Sequence, residues 1–111
     1  MDAKEREIRL FVRADGSCPF EDWLRALRDK RTRERLHARI DRLRLGNFGD
    51  CRSVGGGVHE LRAHRGPGLR VYFAPMGPSQ IVLLCAGTKR TQEADILRAR
   101  AYLGGLKSDA D

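Results

Sequence analysis

The sequence predicts an α+β fold in the order β-α-α-β-β-β-α. It is a small, mostly antiparallel sheet with a hairpin of helices packed on one side and a helix at the C-terminus. Three observations carry this expectation. Apolar residues recur at helical spacing between Phe20 and Leu43. The period changes to two between Val58 and Ala86, and helical spacing returns from Ile96 to Leu106.

The first strand is read over Ile8 to Val12, where Ile8, Leu10 and Val12 alternate with Arg9 and Phe11. "ADGSCP" breaks that pattern. Ser17 can cap the helix that follows, Pro19 suits its first turn, and Glu21 and Asp22 complement the helix dipole. Phe20, Trp23, Leu24 and Leu27 form its apolar stripe. After the charged link "DKRTR", Leu36, Ile40 and Leu43 mark a second helix, ended by Gly46 and Gly49. The short link makes the pair a helix hairpin. "GNFGDCRSVGGG" is read as a connection. Val58 to Ala63, Leu69 to Ala74 and Gln80 to Ala86 are then strands, separated by the Gly- and Pro-containing reversals "HRGPG" and "PMGPS". "IVLLCA" is apolar throughout, as a central strand covered on both faces requires. Thr91 caps the last helix, with Glu93 and Asp95 in its first turn, and Gly104 and Gly105 are expected to fray its end.

A chain of 111 residues is the size of one domain, and a single domain over 1–111 is expected. Hydrophobic residues make up 41% and aromatics only 6%, which allows one modest core built mainly of Leu, Ile, Val and Ala. The 22 Lys and Arg outnumber 15 Asp and Glu, a net charge of +7 that favours an acidic partner such as nucleic acid. Cys18, Cys51 and Cys85 are odd in number and form no C-x-x-C pair. They argue against a disulfide framework or a cysteine zinc site, and no other metal-ligand spacing stands out. A charged N-terminus without an apolar stretch, and no run approaching the roughly 18 apolar residues of a spanning helix, fit a reducing cytoplasm and no membrane.

Strand alternation then places the candidate functional residues. Leu69, Val71 and Phe73 share one face, while Arg70 and Tyr72 share the other. On the preceding strand Leu61 and His59 oppose Glu60 and Arg62. If the apolar set packs on the helices, Arg62, Arg70 and Tyr72 emerge together on the free sheet face. Two guanidinium forks and a phenol there would suit a phosphate. The plainer alternative is that Arg62 pairs with Glu60 or a helix carboxylate and Arg70 is a solvated charge. Lys89 lies just past the apolar strand and just before a helix N-terminus, where backbone N–H groups favour an anion. His64 sits at the turn, within reach of a bound substrate, and His59 is expected to pack. The segment from Arg28 to Arg44 carries Arg28, Lys30, Arg31, Arg35, Arg39 and Arg42 as a second basic surface. It reads either as an RNA-docking face or as a solvated helix balanced by Asp29, Glu34 and Asp41.

The ordered set E-L-R, G-P-G-x-R-V-Y-F and G-x-K-x-T-Q-x-x-D-I, within "GNFGDCRSVGGGVHELRAHRGPGLRVYF" and "GTKRTQEADI", resembles the RelE/ParE toxin superfamily. The nearest branch is the phage-derived, HigB-like addiction module killer proteins, and the resemblance covers about Phe20 to Leu103. It implies a RelE-like fold and the toxin of a type II toxin–antitoxin module. The implied activity is that of a ribosome-dependent mRNA endonuclease that inhibits translation. The implied partners are the ribosome, mRNA and an adjacently encoded antitoxin, often a helix-turn-helix protein. Carried over by position, the implied active-site residues are Arg62, Arg70 and Lys89, with Tyr72 a further candidate. Leu69 stands where such toxins often have an aromatic ring. The ParE branch shares the fold but binds and inhibits DNA gyrase without cutting RNA, so that alternative stays open.

For a ribonuclease of this kind no cofactor is needed. The RNA 2′-hydroxyl attacks the adjacent phosphate. Arg62 and Arg70 would stabilise the developing negative charge, Lys89 would hold a neighbouring phosphate or help activate the hydroxyl, and Tyr72 or His64 would stack on a base or transfer a proton.

Overall fold

A computed structural model describes residues 5–63 and 68–109. The predicted elements are present, with one strand more than expected. The strands are β1 (Glu7–Leu10), β2 (Cys51–Gly55), β3 (Val58–Ala63), β4 (Leu69–Pro75) and β5 (Gln80–Gly87). The helices are α1 (Pro19–Ala26), α2 (Lys30–Arg44) and α3 (Gln92–Asp109), the last preceded by a 3₁₀ turn at Lys89–Thr91. All five strands join one sheet in the order β1-β5-β4-β3-β2. β1 runs parallel to β5 and every other pairing is antiparallel.

β2 is the strand that the sequence hides. Its run "CRSVG" carries little apolar signal, because it is an edge strand and its residues are exposed or half-buried. Three consecutive glycines connect it to β3. Gly55, Gly56 and Gly57 have φ of 90°, 64° and 85°, a left-handed path that L side chains rarely adopt, and the side chain of Arg100 lies across this turn.

The sheet is covered on both faces. Phe20 of α1 and Leu36 and Leu43 of α2 pack on Leu61, Val71, Phe73, Ile81 and Leu83. On the opposite face Ala99 and Leu103 of α3 pack on Val58, Tyr72, Ala74, Val82 and Leu84. Alternate residues of β5 therefore enter different cores, as its unbroken apolar run predicts. Truncating one of these buried leucines to alanine costs about 2–5 kcal/mol.

Several local expectations are revised. Cys18, not Ser17, occupies the N-cap of α1. The Ser17 hydroxyl and N–H instead donate to Asp15 Oδ1 at 2.6 and 2.9 Å, a local turn that competes with capping. α2 begins at Asp29, whose carboxylate accepts from the Arg31 N–H at 3.0 Å and the Thr32 hydroxyl at 2.9 Å. α3 continues through Gly104 and Gly105 to Asp109, because Leu103 and Leu106 anchor that stretch to the core, and tertiary packing outweighs about 1 kcal/mol of helix propensity per glycine. His59 stacks on Phe73 with ring centroids 5.6 Å apart, as its face predicts. Among the described residues no helix is long and apolar enough to cross a membrane.

One irregularity sets the geometry of the site. The β4–β5 register shifts between Tyr72↔Cys85 and Phe73↔Leu83, leaving Leu84 as the extra residue of a bulge. Leu84 and Cys85 both join the α3-side core, and Gly87 rather than Ala86 comes to stand opposite Arg70. A Cβ at position 87 would lie 2.6 Å from Thr91 Oγ1 and run into the Asp95 carboxylate. Glycine is the residue that lets the start of α3 approach the strand this closely.

Candidate nucleic-acid interface

β3 and β4 pair so that Arg62 stands opposite Arg70 and Glu60 opposite Tyr72; the Arg62 side chain turns to Asp50 and the α2 side, while Glu60, Tyr72 and Arg70 lie toward α3. The expectation of a free face is corrected here. α3 packs on this side of the sheet, and Tyr72 is fully buried beneath it, with no ring surface on which a base could stack. Among the described residues at the strand end beyond the start of α3, Arg62 is partly exposed and Lys89 exposed.

At that end Arg62 and Arg70 have different surroundings. Arg62 is partly exposed and binds Asp50, from the segment before β2, through Nη2 at 3.0 Å and Nε at 3.3 Å. Its carboxylate partner is therefore neither Glu60 nor a helix residue. Its backbone is fixed as well: the Arg62 N–H donates to the Asp50 carbonyl at 3.0 Å. Arg39 of α2 donates through Nη2 to the Arg62 carbonyl at 3.3 Å. Arg70 is nearly buried. Its Nη1 donates to the Gly68 carbonyl at 2.8 Å, and its Nε lies 3.6 Å from Glu60 Oε2.

Lys89 comes to the same place. Arg70 pairs across the sheet with Gly87, two residues before Lys89. A Cβ on Gly68 would sit 3.2 Å from Arg70 Nη1 and 3.5 Å from the Lys89 Cβ, so Gly68 separates the two by one small backbone step. Lys89 itself is exposed. The structure thus gathers Arg62, Arg70 and Lys89 at one end of the sheet. His64 lies outside the described residues.

The second basic surface divides. Arg35, Arg39 and Arg42 of α2 face Arg62, Asp50 and Leu69 across a cleft of about 330 Å³. Among the described residues four arginines and one carboxylate line this cleft, which makes it an anion-attracting groove, and the apolar edge of Leu69 gives it a floor. Arg28, Lys30 and Arg31 are exposed at the start of α2 and do not line it; Lys30 lies 4.0 Å from Glu34. Arg33 is spent on the Leu27 carbonyl at 2.6 Å, and Arg44 on Glu5.

Sequence reasoning passed over the residue that holds this end together. Glu60 is fully buried. It accepts from Arg52 Nε at 2.9 Å, from the Tyr72 hydroxyl at 3.1 Å and from Gln92 Nε2 at 2.8 Å. Burial by itself would raise its carboxyl, but the hydrogen bonds from Gln92, Arg52 and Tyr72 outweigh it and hold the group below its ordinary value. Burial, and next the adjacent Glu60 charge, push the Tyr72 phenol far above its ordinary value, so it stays protonated as a donor. Alternation alone put Glu60 on the arginine face. Its partners were not legible, because Arg52 belongs to the unrecognised β2 and Gln92 is remote in sequence.

Comparison with known proteins places the chain in a family. The family model described as phage-derived protein Gp49-like (DUF891) matches residues 22–101. A Haemophilus influenzae protein described as uncharacterised is 44% identical over 89 residues, which cover 80% of this chain and 90% of that relative. The match runs from within α1 into α3 and spans the strand end that carries Arg62, Arg70 and Lys89, and on it the chain belongs to the Gp49-like family of phage-derived proteins.

Proposed function

We propose that the chain is the toxin of a type II toxin–antitoxin module, a RelE- and HigB-like mRNA endonuclease that acts in the cytoplasm on the translating ribosome. The observation that carries the reading is the convergence of Arg70 and Lys89 beside Gly68, with Arg62 directly across the sheet. Membership of a phage-derived family and the ordered E-L-R, R-V-Y-F and G-x-K motifs support it.

In this reading an RNA phosphate lies over that strand end. The 2′-hydroxyl attacks phosphorus and loses its proton. The P–O5′ bond breaks, and the leaving oxygen is protonated, giving a cyclic phosphate and a 5′-hydroxyl end. Arg62 and Arg70 present preorganised donors to the charge that develops on the phosphoryl oxygens. Lys89, exposed at the turn, holds an adjacent phosphate or receives the proton. The cleft along α2 extends the positive surface, so flanking RNA, of messenger or ribosome, would lie along Arg35 and Arg42. A partner antitoxin with an acidic segment would suit the same surface.

The test is a reconstituted translation reaction with mapping of new 5′ ends on the mRNA, beside an Arg70→Ala control. Ribosome-dependent cuts that disappear in the variant are expected. Intact mRNA from a folded, growth-arresting protein would transfer the reading to a ParE-like action on gyrase.

A further inference from the structure

Glu60 takes no place in the chemistry just described. It is fully buried, and three of its neighbours already donate to its oxygens, so it does not touch a substrate. A buried carboxylate is an expensive way to fill a core, since apolar residues of similar size pack as well without the desolvation cost. What it does uniquely here is join elements. One oxygen is held by Arg52 of β2. The other meets Tyr72 and Arg70 of β4 and Gln92, the first residue of α3.

Two of these contacts bear on the site. Arg70 Nε is buried and makes no hydrogen bond among the described residues; its nearest counter-charge is Glu60 Oε2, 3.6 Å away. With Nη1 fixed on the Gly68 carbonyl, these two contacts set the plane of the guanidinium. Gln92 stands three positions after Lys89, on the 3₁₀ turn's exit, and its amide reaches back to the same carboxylate oxygen. The turn that bears Lys89 is therefore tied to the sheet through Glu60.

We propose that Glu60 is a positioning residue. Its carboxylate orients the Arg70 guanidinium and, through Gln92, holds the Lys89 turn beside it, so that the two cations meet a phosphate in one fixed arrangement. This rests on the reading of the strand end as an RNA-cleaving site.

The experiment compares Glu60→Gln, Arg70→Ala and the double variant in ribosome-programmed mRNA cleavage at saturating and limiting ribosome concentrations. Glu60→Gln is expected to slow cleavage at saturation on the order of 10²-fold, as a misplaced catalytic group does. Half-saturation should stay within about twofold, because surface cations are untouched. The double variant should be slower than Arg70→Ala by far less than the full product, the remainder reflecting the Lys89 turn, since residues acting as one unit are not additive. Wild-type cleavage by Glu60→Gln, or a double variant slower by the full product, overturns the proposal. Should Glu60→Gln fail to fold, Gln92→Ala tests the α3 link, and an unchanged rate in it overturns the proposal. A readout independent of activity is the Arg70 Nε–H resonance in ¹⁵N-arginine-labelled protein, assigned by its loss in Arg70→Ala. A shift and faster exchange in Glu60→Gln support the proposal, and an unmoved resonance overturns it. If the wild-type protein itself leaves mRNA intact, the cleavage reading falls, and this resonance alone decides whether Glu60 holds Arg70.

Discussion

Arg62 and Arg70 stand directly opposite each other on neighbouring antiparallel strands, and each is held by a different carboxylate, Asp50 for the first and Glu60 for the second. Like charges in such a pair repel. The two carboxylates offset that repulsion, one beside each guanidinium group.

The first prediction separates these two arginines. Both Arg62→Ala and Arg70→Ala are expected to abolish most mRNA cleavage. Their stabilities should differ. Arg62 is partly exposed, and its loss should cost no more than about 1 kcal/mol. Arg70 is nearly buried against a buried carboxylate, and its loss should cost about 1–3 kcal/mol. Urea denaturation of both variants checks the order. Equal stabilities with full activity in either would return that arginine to a surface charge.

The second prediction concerns the cleft. Arg35→Glu with Arg42→Glu should weaken binding to ribosomes or RNA and flatten the salt dependence, by about one unit of slope for each phosphate no longer neutralised. Arg28→Glu with Arg31→Glu, outside the cleft, should change the slope less. Filter binding across a salt series measures both. A larger effect from the second pair would shift the interface to the start of α2.

The third prediction is a pH dependence. Glu60's folded carboxyl lies below its ordinary value of 4.5, so its contribution to stability is present above that pH and is lost as pH falls through the folded value. Around it stand Arg52, Arg70, Tyr72 and Gln92, and the phenol, pushed up by burial and the Glu60 charge, stays protonated in this range. The Tm gap between wild type and Glu60→Gln should thus be widest above pH 4.5 and narrow below it. A constant gap would mean that folding leaves the carboxyl's proton affinity unchanged, and a gap that narrows as pH rises would mean that the group is neutral in the folded protein.

The fourth prediction tests the close approach of α3. Gly87→Ala forces a methyl group against Thr91 Oγ1 and the Asp95 carboxylate, which themselves share a hydrogen bond of 2.5 Å. It should cost about 1–3 kcal/mol. For a domain of this size, that is roughly 4–8 °C in Tm per kcal/mol. Gly77→Ala is not a suitable control because its φ is 75°, whereas Gly104→Ala, in open space on α3, should leave Tm unchanged or raise it. Calorimetry on the pair decides.

The sequence by itself determined the order of the main elements, both faces of β4, the covering of β5 on both sides, and the companionship of Glu60, Arg62, Arg70 and Tyr72. Those features depend on local periodicity: every second residue of a strand shares a face whatever lies above it. The tertiary structure alone decided what covers that face and which partners the charges take. α3 returns over the sheet and buries Tyr72, and the edge strand β2, too polar to announce itself, supplies Arg52. The bulge at Leu84 shifts the phase of β5 and sets Gly87 opposite Arg70. Packing partners and ladder register come from residues distant in the chain, and no local period encodes them. For the same reason α2's arginines and Arg62, some twenty residues apart and read as two separate surfaces, meet across one cleft.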